Sequence, residues 1–265
     1  MAVPVSRGLA RVVVALPKSA RDRHFVALHQ SRARGVTLEG PARRAAVREA
    51  FASYARYWME SLRLPEMPPE EVDARFTIEG LEHIEAALAA GTGAILALPH
   101  VGGWEVGGSW IARQGFPLTA VVEALDPPEL FTWFADLRRS QGVAVIPLTR
   151  SAGVSVVRAL RANRVVALVS DRDIAGGGIE VEFFGEHTTL PGGPATLASR
   201  LGVPLLPTAV YFKGDGHHAV VRPPLPIDGD VASITQALAH ELEELIRVAP
   251  EQWHLFQPNW PSDRL

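Results

Sequence analysis

The sequence predicts an α/β protein: a mostly parallel, twisted sheet flanked by helices on both faces, with a helical extension at the amino end. Three observations carry this. Short runs such as GAILALPH and RVVALVS are apolar on both faces, as buried parallel strands are. Stretches with apolar residues at helical spacing separate those runs, which is the alternation of βαβ units. The first 64 residues show no such alternation and read as a basic, helical segment.

Taken in order, Pro41 to Leu64 sets Val47, Phe51, Tyr54, Trp58 and Leu62 at helical spacing, and Pro65, Pro68 and Pro69 stop that helix. FTIEG is a short strand. GLEHIEAALAAG is a helix with Gly91 past its end. GAILALPH, PLTAVV, VAVIPL and RVVALVS follow as strands, separated by helices in GGSWIARQ, PELFTWFADLRRSQG and SAGVSVVRALRAN. IEVEFFG ends this series as a strand. ATLASRLG is a short helix, PLLPTAVYF and HHAVVRPP are strands, and VASITQALAHELEELIRVAP is a long amphipathic helix. We read one domain over 1–265, made of a membrane-facing helical extension (1–64) and an α/β catalytic core (65–265).

Composition bounds the chemistry. The chain of 265 residues is 47% hydrophobic and 21% charged, which suits a globular protein with a sizeable core. Cysteine is absent, which removes disulfides, thiolate nucleophiles and Cys-type zinc sites and fits a reducing cytoplasm. No apolar run reaches the roughly 18 residues that span a bilayer. Arg11 interrupts the short apolar core of the first residues, so we expect that segment to be retained rather than cleaved.

Net charge is −3 but unevenly spread: through Leu64 there are 12 Lys/Arg against 4 Asp/Glu. Such a basic start suits an anionic membrane surface, at about 1 kcal/mol per basic residue, or else a merely solvated helix face. No nucleic-acid motif appears, and no nucleic-acid partner is expected.

Several reaction classes drop out. There is no G-x-S-x-G elbow and no G-K-[ST] loop, and the only lysines are Lys18 and Lys213. The GTG of 91–93 precedes its strand, which disqualifies it as a dinucleotide fingerprint. His24 and His29, or His217 and His218, lack carboxylates at ligand spacing, so no metal site is expected. What remains is an enzyme without covalent nucleophile, metal or other cofactor, for which a general base suffices.

ILALPHVGGWEVGG offers one. In parallel sheets, ligands sit at the carboxyl ends of strands, where His100, Glu123, Thr149, Arg150 and Asp171 fall. Five residues apart on one helix, His100 and Glu105 would point roughly 140° away from each other. With His100 on a strand-end turn and Glu105 in the first helical turn, the carboxylate can fold back onto the imidazole, and Gly102 and Gly103 permit the turn. A carboxylate on one ring nitrogen fixes the tautomer and frees the other to take a proton. Spacing alone leaves a core histidine satisfied by a helix-cap glutamate as an equal reading. Likewise Glu123 and Arg138 read also as surface charges, Asp171 and Asp173 as a salt-bridged turn, and WHLFQPNW as a packed tail without chemistry.

HVGGWE resembles the H-x-x-x-x-D/E motif of the glycerolipid acyltransferases, in the branch of the lipid A lauroyl and myristoyl acyltransferases. With YARYWMESLRLP, LRANRVVALVSDRD, GIEVEFFGE, LPGGPATLA and QWHLFQPNW, the resemblance is greatest to the phosphatidylinositol mannoside acyltransferases of mycobacteria. It implies transfer of a fatty acyl chain, expected to be palmitoyl, from acyl-CoA to the mannose 6-hydroxyl of a phosphoinositide glycolipid, at the cytoplasmic face of the plasma membrane. It further implies His100 as base, Glu105 as its orienting partner and Asp171 as a supporting acid. Glu123 would lie near the sugar or inositol, and Arg138 near the lipid phosphate. Trp104 and Trp110 are candidates to line an acyl groove. The sequence departs at Glu105, where Asp is usual, at Asp171, where Glu is usual, and at Ala124 and Asp126, where the pattern is more basic. Acyl transfer to a lysophospholipid or another glycolipid, and a carrier that has lost the reaction, are the alternatives.

Overall fold

A computed structural model describes residues 20–123, 128–149, 151–174 and 176–263. The first 19 residues, Ala124, Asp126 and Arg150, on which expectations fell, lie outside the described residues. Two helices come first, α1 (Ala20–Arg34) and α2 (Gly40–Arg63), followed by a short α3 (Pro69–Asp73). Then β1 (Phe76–Glu79), α4 (Leu81–Ala89), β2 (Ala94–Leu98), α5 (Trp104–Arg113), β3 (Leu118–Val122), α6 (Pro128–Ser140), β4 (Ala144–Pro147), α7 (Ala152–Arg161) and β5 (Val165–Val169) alternate. A hairpin of β6 (Ile179–Phe183) and β7 (Glu186–Leu190) precedes α8 (Gly193–Leu201), β8 (Leu205–Lys213), β9 (Gly216–Val221) and α9 (Val231–Val248).

Seven strands form one sheet in the order β1-β9-β8-β2-β5-β3-β4. Every neighbouring pair is parallel except β8 and β9, which form an antiparallel hairpin. All five residues of β2 are buried, which is why GAILALPH reads as an unbroken apolar run. One face of the sheet packs Ile95, Val166 and Leu205 against Leu238, Leu242 and Ile246 of α9. The other packs Leu96, Val165 and Leu206 against Ile84 of α4 and Ile111 of α5. The α/β sheet with helices on both faces and helices at its amino end is as the sequence predicts.

Two local features differ. EHTTL, unassigned in the sequence, is β7, and it pairs with β6 apart from the main sheet. The turn between them is Phe184-Gly185, both at positive φ (54° and 76°), a two-residue hairpin turn of the sort Asn-Gly usually makes. On α2, Val47 and Phe51 are buried as expected, but Leu62 is 54% exposed. The buried stripe continues instead through Arg56, Tyr57, Glu60 and Ser61, where Arg56 and Glu60 pair at 2.6 Å and Glu60 also bonds His217 at 2.9 Å. Arg56 of the expected basic segment is thus used internally. Arg32 is likewise paired inside, with Asp263 at 2.7 Å, while Arg43, Arg44 and Arg48 stay exposed.

Candidate active site

Sheet register brings the central pair together. Leu98 of β2 lies opposite Val169 of β5, so the residues two beyond each, His100 and Asp171, leave the sheet side by side. Asp171 is fully buried, and its Oδ1 stands 2.7 Å from His100 Nδ1. Its Oδ2 accepts the backbone N–H of His100 at 3.0 Å and the indole N–H of Trp253 at 2.8 Å. Burial pushes this carboxyl up, but the charge and hydrogen bonds of His100, with that of Trp253, outweigh burial and hold it below the usual carboxylate range. An ionised carboxylate accepts only, so Nδ1 carries a proton toward it, and in the neutral ring Nε2 is the nitrogen that holds the lone pair. The imidazole side chain is 25% exposed and edges onto Trp104, with ring centres 5.7 Å apart.

The turn after β2 is as tight as its glycines suggest. Gly102 has φ +62°, and a Cβ there would overlap the Val210 carbonyl. At Gly103 a Cβ would come within 2.6 Å of the His217 ring. This close passage between the strand end and β8–β9 seats α5, whose N-terminus carries no side-chain cap.

Glu105 does not do what its spacing predicts. It sits in the first turn of α5, 6% exposed, but its carboxylate turns to Arg138 of α6 and Tyr57 of α2. Arg138 grips both oxygens, Nε to Oε2 at 3.0 Å and a second amino group to Oε1, and Tyr57 donates to Oε1 at 3.2 Å. No hydrogen bond joins Glu105 to His100 among the described residues; the orienting carboxylate is Asp171. The physical reason is charge: a fixed guanidinium fork offers a buried carboxylate two parallel donors, which one imidazole N–H cannot match. Burial alone would lower the Arg138 guanidinium, but Glu105 raises it above its ordinary value. Burial first, then the Glu105 charge, drives the Tyr57 hydroxyl well above its ordinary value, so it stays a donor.

A cavity of about 490 Å³ opens over His100, walled by Tyr54, Trp58, Trp104, Glu123, Arg138 and His254 among others. Glu123 stands at its rim, where Arg172 donates to it at 3.1 Å. A second, mostly apolar cavity shares Trp104, Val121, Val122, Arg138 and Val169 with the first and runs on past Trp110, Ile111 and Leu118. His100, Arg138 and Glu123 therefore line one opening, with Asp171 buried behind His100 and Glu105 on the wall of the second cavity, whose apolar lining includes Trp104 and Trp110. Chemically, a hydroxyl held in the first cavity would meet an imidazole whose Nδ1 is tied to a carboxylate, and an apolar chain could lie in the second.

Sequence reasoning gave no chemistry to WHLFQPNW, yet this tail runs antiparallel to the His100 turn, through the Gly102 N–H to Gln252, a Val101–Trp253 bridge and the His254 N–H to the His100 carbonyl at 2.7 Å. Asn259 donates to the Asp171 backbone carbonyl at 3.1 Å. The His254 ring faces the cavity, with Nε2 2.8 Å from Ser53 Oγ and a buried Nδ1 that has no hydrogen-bond partner. Burial, and then the nearby His100, lower His254 to about 3, so its ring is neutral. The signal for these residues was only the clustering of two tryptophans, a histidine and an asparagine in eight positions. Of the histidines weighed as metal ligands, His29 lies between Leu255 and Asp263, His217 bonds Glu60 and His218 bonds Thr77. Among the described residues no three His, Cys, Asp or Glu side chains group as a metal site would require.

Residues 39–262 match the family described as bacterial lipid A biosynthesis acyltransferase. The chain is 45% identical over 220 residues to the phosphatidylinositol mannoside acyltransferase of Mycobacterium tuberculosis, covering 81% of this chain and 70% of that protein. It is 41% identical over 221 residues to the protein of that name from Mycolicibacterium smegmatis, covering 82% and 73%. A lipid A biosynthesis acyltransferase of Haemophilus influenzae is 29% identical over 181 residues, covering 66% and 55%.

Proposed function

Because the chain belongs to the bacterial lipid A biosynthesis acyltransferase family, we propose that it moves a long acyl chain, palmitoyl by preference, from acyl-CoA to the mannose 6-hydroxyl of a phosphatidylinositol mannoside. The acceptor rests on the names of the mycobacterial relatives. The observation that supports the chemistry is the hydrogen bond between Asp171 and His100 Nδ1, which leaves Nε2 of this cavity-lining side chain free to take a proton.

In this reading Nε2 takes the proton of the acceptor hydroxyl as its oxygen attacks the thioester carbonyl. The C–O bond forms, the carbonyl electrons move to oxygen, and the uncapped first turn of α5 offers N–H groups to that oxyanion. Collapse breaks the C–S bond, and the imidazolium returns its proton to the leaving CoA sulfur. A positioned base of this kind contributes about 10²–10⁴ in rate. Arg138, neutralised by Glu105, shapes the wall and orients polar groups of the acceptor, while Glu123 and Arg172 at the rim meet its hydroxyls. The acyl chain occupies the apolar cavity past Trp104 and Trp110. No cofactor enters this scheme.

No helix of the described residues is long and apolar enough to cross a membrane. We place the protein peripherally on the cytoplasmic face of the plasma membrane, with 1–64 facing an anionic lipid surface through exposed Arg43, Arg44 and Arg48 and 65–265 carrying the chemistry.

The test is CoA release from palmitoyl-CoA with purified protein and, in parallel, phosphatidylinositol mannosides, lysophosphatidic acid and lysophosphatidylinositol. Mannoside-dependent release abolished by His100→Ala is expected. Turnover with lysolipids alone, or tight lipid binding without turnover, overturns the reading.

A further inference from the structure

We propose that Trp253 is a positioning residue for the His100–Asp171 pair; as a statement about catalysis this rests on the reading above. The three donors around the Asp171 carboxylate are divided unequally. Oδ2 receives the His100 backbone N–H and the Trp253 indole N–H, at 3.0 and 2.8 Å, and Oδ1 is left to the imidazole at 2.7 Å. Two donors on one oxygen fix the plane of the carboxylate, and the other oxygen then fixes the plane of the ring. Loss of the indole donor leaves Oδ2 with a backbone donor alone, and the carboxylate gains freedom to turn about its last bond.

The indole is itself firmly seated. Trp253 is 1% exposed and packs against Phe184, His29 and Phe183, with ring centres 5.4, 5.6 and 6.2 Å away. Its segment is tied down further along by Asp263, which accepts from Arg32 at 2.7 Å and from the backbone N–H groups of Asn259 and Trp260 at 2.9 and 3.1 Å. A phenylalanine would fill most of this apolar space equally well. The atom that distinguishes tryptophan here is the indole N–H, and it points at the carboxylate. Groups that orient a reacting imidazole act through just such an outer bond.

The test is Trp253→Phe, read three ways. We expect kcat for acyl transfer to fall about tenfold, ~1.4 kcal/mol, with KM unchanged. The acid limb of the pH–rate profile moves to higher pH, because a carboxylate with one donor fewer holds the proton on its partner more tightly. In an Asp171→Asn background the same substitution costs nothing more, because its effect passes through that carboxylate. The low-field proton resonance of the His100–Asp171 bond shifts or broadens in the free protein, which needs no substrate. If that resonance moves while no acceptor is turned over even by the unsubstituted protein, the positioning role stands and the acyl-transfer reading falls. An unmoved resonance with an unmoved pH profile, or a full tenfold loss repeated in the Asp171→Asn background, overturns the proposal. Should Trp253→Phe fail to fold, the benzothienyl analogue of tryptophan at 253, which keeps the shape and lacks the N–H, is measured in its place with the same outcomes.

Discussion

Arg138 and Glu105 close on one another between α6 and α5, the guanidinium fork taking both carboxylate oxygens in a setting where the two side chains are 15% and 5% exposed. Removing one partner strands the other charge out of water. Arg138→Met is therefore expected to lower unfolding free energy by about 3 kcal/mol, read from urea denaturation. If Arg138 served only a bound lipid, the urea midpoint would not change.

The turn that carries His100 is equally demanding. Gly102→Ala puts a Cβ onto the Val210 carbonyl at a positive φ, a cost of about 1–3 kcal/mol for the backbone conformation alone. The displaced turn also takes the imidazole away from Asp171. We expect acyl transfer to fall at least tenfold, and the low-field His100 proton signal to vanish, even at temperatures where circular dichroism shows the protein folded. Retained activity would show that the turn tolerates the shift.

His254 predicts an acid sensitivity of known sign. Burial first, and then the nearby His100, lower its ring from the ordinary 6.5 to about 3, so the folded protein binds no proton there over a range in which the unfolded chain does. Stability is therefore complete above pH 6.5 and is lost as pH falls toward 3, at up to about 1.4 kcal/mol per unit. Asp171, Glu60 and Asp263 have lowered values, and their unfolded counterparts, near 3.8 to 4.5, stay ionised above pH 5. Above pH 5 the carboxylates add no slope, so whatever His254→Gln removes between pH 6.5 and 5 belongs to that ring. His254→Gln is expected to flatten the plot of urea midpoint against pH in that window; an unchanged slope would mean that the ring is charged in the folded state.

Gly108 of α5 lines the apolar cavity, and a Cβ there meets only Leu118, at 3.5 Å. Gly108→Leu should fold at least as well, since leucine is favoured over glycine inside a helix by about 0.8 kcal/mol. Its side chain shortens the cavity. We expect turnover with palmitoyl-CoA to fall well below that with octanoyl-CoA; equal losses with both donors would place the chain elsewhere.

Much of this molecule was readable in its residues, and the exceptions share a cause. Strands such as GAILALPH announce themselves because both their faces are buried, and the parallel rule then sets His100 and Asp171 on one edge. Their direct contact depends on the register of two strands, which spacing along the chain cannot express. Local spacing favoured Glu105 as the partner because it looks only one turn ahead, and the guanidinium that captures Glu105 arrives from α6, 33 residues on. Trp253 and His254 were hidden for the same reason: the return of the tail to the first turn after β2 has no periodicity to betray it.

The central place of β2 also bears on how the molecule comes to be folded. Its two neighbours are drawn from residues 165–169 and 205–213, while β2 itself is 94–98, so neither flank can be closed by a local hairpin. Such distant closures slow folding, since loop entropy is lost before the strand pairing compensates. We expect helix signals to return early in refolding, and the His100 environment to be restored only in the slowest phase, with β8 in place.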